Sequence, residues 1–450
     1  MTNWRRLKKR AWSDEGAQEL SAAKLPLDGI RVVSHGLVYT GTAAATMLGD
    51  MGCEVIRVES IQRFPSWTRG AMARPPREFT RHFGYADNDG GERPWERFYS
   101  FHATNRNQYG ITLDLNRPEG VSIYKRLVGI SDVVLENFAH GVMERLGIGY
   151  AVLKEVKPDI VMVSASGLGA CGPYKDYSMF GTNVGAIAGM MALRGYPDDD
   201  MTVRNPASVW SDNIAASSVA FAVLVALHYR QRTGEGQHVD LSQAETVLPH
   251  MGEAIMDYTL NGRVAGPIGN RDPMMAPHGC YRCRGDDRWV TIAVCSEGQW
   301  EALRRAMGDP EWARDERFGT LEGRLEHQDD LDRGIGEWTG ERDSYDVMRI
   351  LQEQGVAAGP VVKPSDLYRD PHLKERGFFR EVTHREVGRR LYPGMCFKLS
   401  RTPADVRIPP NCLGEHNEYV YGEILGMSRD EIARLEREQL IGESYLPNVP

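Results

Sequence analysis

Short apolar runs and amphipathic stretches alternate along the first half of the chain. Residues 29–34 (GIRVVS) predict a buried strand, and residues 42–52 (TAAATMLGDMG) follow with helical spacing and Gly52 as the stop. Strand signals recur at 53–60, 110–115, 132–137 and 159–166, with helices expected near 118–129 and 141–155. Continuous apolar strands separated by helices belong to a mostly parallel sheet covered on both faces. The pattern therefore predicts an α/β, doubly wound, Rossmann-like large domain. Residues 61–104, rich in Arg, Pro, Gly and aromatics, are too long for a simple connection and mark a functional loop.

The pattern changes past the middle. Ser211-Asp212-Asn213 precedes a strongly apolar helix with basic residues at its end, closed by Gly234 and Gly236, and a short strand follows at 237–242. A Gly/Pro-rich stretch then reads as a linker. The predicted organisation is a large domain over 1–262, a linker at 263–285 and a smaller α+β domain at 286–365. A second linker at 366–380 leads to a segment, 381–450, that returns to the large domain. The small domain shows one clear strand, at 288–294, and several helices; hairpin strands are expected around 376–398 and a polar helix from Arg429.

Composition refines this only modestly. Of 450 residues, 41% are apolar and 26% charged, ordinary for a globular protein, and the net charge of −8 argues against nucleic acid or an acidic membrane as partner. No run approaches the roughly 18 apolar residues that span a bilayer. The basic start, MTNWRRLKKRAW, has no apolar stretch behind it and reads as a solvated arm rather than a secretory signal. Seven scattered cysteines fit a reduced, cytoplasmic protein. Cys280 and Cys283 form C-Y-R-C without a second pair, and no metal site is expected.

Gly167, Gly169 and Gly172 spell G-x-G-x-x-G after a strand, the written form of a dinucleotide fingerprint. Its place argues otherwise. It follows roughly the fifth strand, where the fingerprint occupies the first, and Pro173 comes directly after the third glycine. A flexible ligand-side loop at the carboxyl edge of the sheet is the better reading.

Several ordered segments, among them LDGIRVVSHGLVYTGTAAATMLGDMGCEVIRVES, ITLDLNRPEG, DVVLENFAHGVMERLGIGY, SASGLGACGPY and the run from Ser211 through TGEGQHVDLSQAETVL, together resemble the class III CoA-transferases. That family includes formyl-CoA transferase and the carnitine and bile-acid CoA-transferases. The resemblance extends over roughly residues 27–426. It implies acyl-CoA and a free carboxylic acid as substrates, no tightly bound cofactor, and an interlocked homodimer or a heteromer with a related subunit. It also implies that Asp212 is the nucleophile, which on residues alone reads as a helix N-cap. Asp212 would form a mixed anhydride with the donor acyl group, then an aspartyl-CoA thioester, then a second anhydride with the acceptor. Val38, Tyr39, Asn137, Phe138 and Arg145 match CoA- and acyl-binding positions, and the Gly167, Gly169 and Gly172 loop is expected to supply N–H donors to oxyanions.

The chain departs from the family pattern where a basic pair gives way to Gln108-Tyr109 and an Arg-Pro to Ala139-His140. Arg106 and the 61–104 loop are the candidate replacements. Phe180 stands where racemases of the same fold carry a histidine, which disfavours one alternative, an acyl-CoA racemase or epimerase; the other alternative is the less active subunit of a heteromeric CoA-transferase. Tyr39, Phe180, Met190, Met191, Met274 and Met275 suggest a bulkier acceptor acid, such as an aryl-substituted succinate, with succinyl-CoA as donor.

Overall fold

The computed structural model describes residues 24–198 and 210–450; the basic N-terminal arm lies outside them. Two compact units emerge. The larger holds residues 24–188, 210–252 and 377–450, and the smaller holds 189–198 and 253–376.

In the larger unit six parallel strands form one sheet: β1 (Arg31–His35), β2 (Glu54–Glu59), β3 (Gln108–Thr112), β4 (Val133–Glu136), β5 (Val161–Ser164) and β6 (His238–Asp240). Their order is β3-β2-β1-β4-β5-β6. Chain direction across the sheet reverses between β1 and β4, and at such a switch point the carboxyl ends leave a crevice. Alternate residues serve opposite cores, as the pleat requires. Val32, Val55, Val133, Leu135, Val161 and Val163 face one core, shared with Ala43–Ala45 of the helix Thr40–Asp50 and with Val219 and Val223 of the helix Trp210–Thr233. Val33, Ile56, Val134 and Met162 face the other, with Tyr124, Leu127, Leu153 and the C-terminal residues Tyr421 and Leu435.

The helix Trp210–Thr233 is 24 residues and, by length and composition, apolar enough to cross a membrane; half of its most apolar window is buried inside the protein. In sequence this helix reads as strongly apolar, but a count of unbroken apolar runs does not give its spanning length, because Ser217, Ser218 and His228 interrupt it. Its packing partner is the helix Thr40–Asp50, a run of small residues that allows close approach.

The 61–104 segment is folded around buried charge. Arg69 is fully buried, pairs with Glu59 at 2.7 Å and Glu96 at 2.7 Å, and stacks its guanidinium 3.7 Å from the Phe101 ring centre. Arg57 pairs with Glu59 at 3.2 Å and donates to the Gly36 carbonyl at 2.8 Å. Burial would raise the Glu59 carboxyl, but Arg57 and Arg69 hold it well below its ordinary 4.5, at about 2. Glu96 moves the other way, raised by burial against the pull of Arg69. C-terminal strands β10 (Phe379–His384) and β11 (Gly388–Pro393) form an antiparallel hairpin, and the Asn411 carbonyl accepts from Arg69 at 3.2 Å.

The smaller unit has three antiparallel strands, β7 (His278–Arg282), β8 (Trp289–Ala293) and β9 (Ala357–Val361), where the sequence pattern gave one. β7 falls in the stretch read as linker. β9 contains Pro360, tolerated because β9 is an edge strand. Helices Glu297–Ala306, Gln328–Gly340 and Ser344–Glu353 pack Trp300, Leu303, Leu331, Ile335, Val347 and Leu351 onto Val290 and Ile292. Ser296 and Asp343 cap two of them through Gln299 N–H and Tyr345 N–H.

Removing one member of a buried ion network leaves its partner uncompensated, so Glu59→Gln should destabilise the protein by about 3–5 kcal/mol at neutral pH. A carboxyl depressed in the folded state stabilises above its ordinary value and stops doing so as pH falls through its folded value. The melting-temperature gap between wild type and Glu59→Gln should therefore be full at neutral pH and close between about 4.5 and about 2. A gap that persists unchanged to the acid end of that window would show that Glu59 is not held ionised.

Candidate active site

The turn after β1 sets the geometry. Val38 adopts φ 53°, in the left-handed region that a β-branched residue strongly disfavours. Hydrogen bonds on every side retain it. Asn137, after β4, accepts from the Leu37 N–H at 2.7 Å and donates to the Leu37 carbonyl at 3.0 Å. The Val38 N–H donates to Thr68 Oγ1 at 2.7 Å, and Arg57 holds the Gly36 carbonyl. Gly41 lies so close to the Asn137 amide that a Cβ there would crowd it. The turn thus delivers Thr40 as the first residue of the helix Thr40–Asp50.

Asp212 lies in the first turn of the helix Trp210–Thr233 and is only 5% exposed. It stands third in that helix rather than before it. Its Oδ1 accepts from the Thr40 hydroxyl at 2.7 Å, while Oδ2 is buried without a hydrogen-bond partner among the described residues. Gly181, first residue of the helix Gly181–Ile187, lies against Oδ2, and any Cβ at this position would overlap that oxygen. Gln243, first residue of the helix Gln243–Val247, presents Oε1 at 3.2 Å from the Thr40 hydroxyl and donates Nε2 to the Ala165 carbonyl at 2.7 Å. Four helix N-termini, beginning at residues 40, 181, 210 and 243, thus meet around one carboxylate, and their partial positive ends favour negative charge there. Burial raises the Asp212 carboxyl above its ordinary value, and the Thr40 hydroxyl and backbone N–H pull it back.

A cleft of about 520 Å³ opens on Asp212 and runs along the carboxyl edge of the sheet. It gathers Val38, Asn137, Phe138, Gly167, Phe180 and Asp212 from the residues singled out in the sequence, and adds Gln243, Gly181, Met179 and Arg63. From β5, whose end carries Gly167, to β2, whose end leads to Arg63, it crosses three strand spacings, roughly 14 Å. Arg63 is exposed, and no ion pair or hydrogen bond engages its guanidinium among the described residues. Phe180 is 54% exposed at the rim. His35 also lines the cleft, but its Nε2 is 2.9 Å from the Tyr124 hydroxyl and burial pushes its pKa down to about 3. It is a poor proton carrier at neutral pH.

Other sequence candidates lie apart from the cleft lining. The Tyr39 hydroxyl bonds the Asn213 side chain, next to Asp212, and burial raises its pKa. Arg106 is buried in a two-pronged pair with Asp50, at 3.1 and 2.6 Å, so its charge is already matched. Arg145 is exposed at the end of the helix Val142–Arg145. In the glycine loop, Gly169 and Gly172 have φ of 80° and 90°, and the Ala170 N–H between them is taken by the Asp240 carboxylate at 2.9 and 3.0 Å. That N–H is not available to an oxyanion. Among the described residues no group of three or more His, Cys, Asp or Glu gathers as a metal site.

Thr40, Gly181, Gln243 and Arg63 were not identified from the sequence. Gln243 stood only within the run that carries the family resemblance, and Arg63 was one of many arginines in its loop.

Comparison with known proteins agrees with this architecture. The family model for CoA-transferase family III matches residues 27–417. A succinyl-CoA–D-citramalate CoA-transferase of Chloroflexus aurantiacus is 35% identical over 92% of this chain and 98% of its own. The alpha subunit of succinyl-CoA–L-malate CoA-transferase from Chloroflexus aurantiacus is 32% identical, with 93% of each chain covered. The crystal structure of a CaiB/BaiF family protein from Brucella suis shares the fold with a TM-score of 0.77 at 29% identity, covering 89% of this chain and 100% of that one. The chain belongs to CoA-transferase family III, and it is an enzyme that transfers CoA.

Proposed function

We propose that the protein moves CoA from succinyl-CoA to a dicarboxylic acid of the succinate type, with Asp212 as the covalent nucleophile. The observation that carries this reading is the buried Asp212 carboxylate, one oxygen unpartnered, at the meeting of four helix N-termini in an apolar cleft. A carboxylate so placed can attack a thioester carbonyl, giving an anhydride and CoA thiolate. The thiolate then attacks the aspartyl carbon, releasing succinate and leaving an aspartyl-CoA thioester. The acceptor carboxylate repeats the sequence in reverse and leaves as its CoA thioester. Positive helix ends favour the thiolate and the oxyanions throughout.

The length of the cleft supports an extended pantetheine arm, with the thioester at Asp212 and the phosphates at Arg63. Arg63 then replaces the basic pair that the chain lacks at 108–109. Val38 and Phe138 flank the arm, and Asn137 supports it by holding the turn that carries Val38. Succinyl-CoA as donor is supported by the relatives named for D-citramalate and L-malate. Met179 and Phe180 at the rim support an acceptor with an apolar, even aryl, substituent. His35, hydrogen-bonded to Tyr124 and made a weak base by burial, disfavours proton abstraction at the α-carbon, and with it a racemase.

Incubation with succinyl-CoA, followed by borohydride or hydroxylamine and peptide mass mapping, should modify Asp212, and Asp212→Asn should carry no adduct. Modification at another residue would overturn the assignment. Gly181→Ala should fold normally, with unchanged circular dichroism, and lose about 100-fold in kcat because its methyl displaces Oδ2. Arg63→Ala should raise the KM for succinyl-CoA about tenfold with kcat nearly unchanged, since it removes binding shared by ground and transition states. A fall in kcat at constant KM would place Arg63 at the reacting end instead.

A further inference from the structure

We propose that the Thr40 hydroxyl selects which oxygen of Asp212 reacts and then stabilises the charge that develops on the other. This rests on Asp212 being the nucleophile, and it assigns a catalytic hydrogen-bond donor to the site.

Thr40 is fully buried, so its hydroxyl has no water to bond. Its single proton faces three acceptors, Asp212 Oδ1 at 2.7 Å, Gln243 Oε1 at 3.2 Å and the Asp212 backbone carbonyl at 3.5 Å. The Gln243 amide cannot turn freely, because Nε2 is engaged by the Ala165 carbonyl. The shortest contact, to an ionised oxygen, takes the proton. Oδ1 is thereby held, while Oδ2 keeps its lone pairs unengaged beside the Cα of Gly181. A half-turn about Cβ–Cγ would exchange the two oxygens, and it requires breaking the Thr40 bond in a site closed by Gly181.

The consequences follow oxygen by oxygen. Oδ2 bonds to the succinyl carbonyl carbon, the C–S bond breaks, and CoA leaves as thiolate. In the anhydride Oδ2 is the bridge and Oδ1 the aspartyl carbonyl. Thiolate attack on Cγ pushes an electron pair onto Oδ1, where the Thr40 hydroxyl already points. Collapse restores Cγ=Oδ1, breaks Cγ–Oδ2 and releases succinate carrying Oδ2. The acceptor carboxylate next adds to Cγ, again placing charge on Oδ1, and expels the thiolate. Attack of that thiolate on the acceptor acyl carbon frees the aspartate, which keeps one acceptor oxygen as its new Oδ2. No net proton is consumed. Oδ1 never leaves the protein.

Succinate, as the product acid, must also bind as an acceptor, so the identity exchange between succinyl-CoA and succinate labelled in its carboxylates with oxygen-18 tests the proposal without the natural acceptor. After a few turnovers the peptide containing Asp212 should carry one labelled oxygen in wild type and in Thr40→Ser. In Thr40→Val, which lacks the hydroxyl at nearly the same volume, two labelled oxygens should accumulate as the carboxylate flips. kcat should fall about 100-fold in Thr40→Val, as for loss of an oxyanion donor, and recover in Thr40→Ser. Two labels in wild type, or one in all three proteins, would overturn the role given to Thr40. No label in any protein would instead overturn Asp212 as nucleophile, and the Thr40 role with it.

Discussion

Asn137 grips the turn after β1 with both ends of its amide, taking a hydrogen bond from the Leu37 N–H and giving one to the Leu37 carbonyl. A primary amide is among the few side chains that can do both at once. The grip retains Val38 at a positive φ, and that backbone path aims Thr40 at Asp212. Arg57 holds the same turn at Gly36, and Arg57 is itself held by Glu59, which Arg69 and Glu96 complete. The long segment after β2 is thus connected through buried charge to the Asp212 end of the cleft. Such a network is costly to desolvate and contributes chiefly when complete. Its value here is position.

The sheet order gives the cleft its place. Reversal between β1 and β4 leaves the crevice at their carboxyl ends, and the loops after β1 and β4 supply Val38 and Asn137. Strand order alone would suit a dinucleotide enzyme. The residues differ: after β1 stands HGLVYTG, and the glycine-rich loop comes after β5, where Asp240 occupies its central N–H. A common scaffold therefore carries a carboxylate in place of a phosphate cradle.

The strands of the large unit were legible because burial on both faces forces continuous apolar runs: β2, β4 and β5 fall within the predicted stretches, and β1 runs one residue past its own. β7 and β9 were not, since HGCYR and AAGPV lack apolar character and are defined by pairing with β8. Asp212 entered through a family resemblance, its bare sequence context suggesting only a cap. Its neighbours were hidden by distance along the chain: Thr40 reaches Asp212 across 172 residues and Gln243 across 203. Arg106 misled for the converse reason. A sequence shows a cation but not that Asp50 already neutralises it.

The contact between Gly181 and Oδ2 bears on fidelity. An acyl anhydride and an aspartyl thioester are both destroyed by water, and the chemistry proposed for Asp212 would serve a thioesterase equally well if water reached Cγ. The side chain that a bulkier residue would add at position 181 is absent, so the backbone itself closes over the carboxylate. In the chemistry proposed for Asp212 the acyl group would displace that cover and serve as the seal in its place. Leakage to hydrolysis would then depend on how well each acid fills the space beside Gly181, and a poor acceptor would cost the donor rather than simply fail to bind.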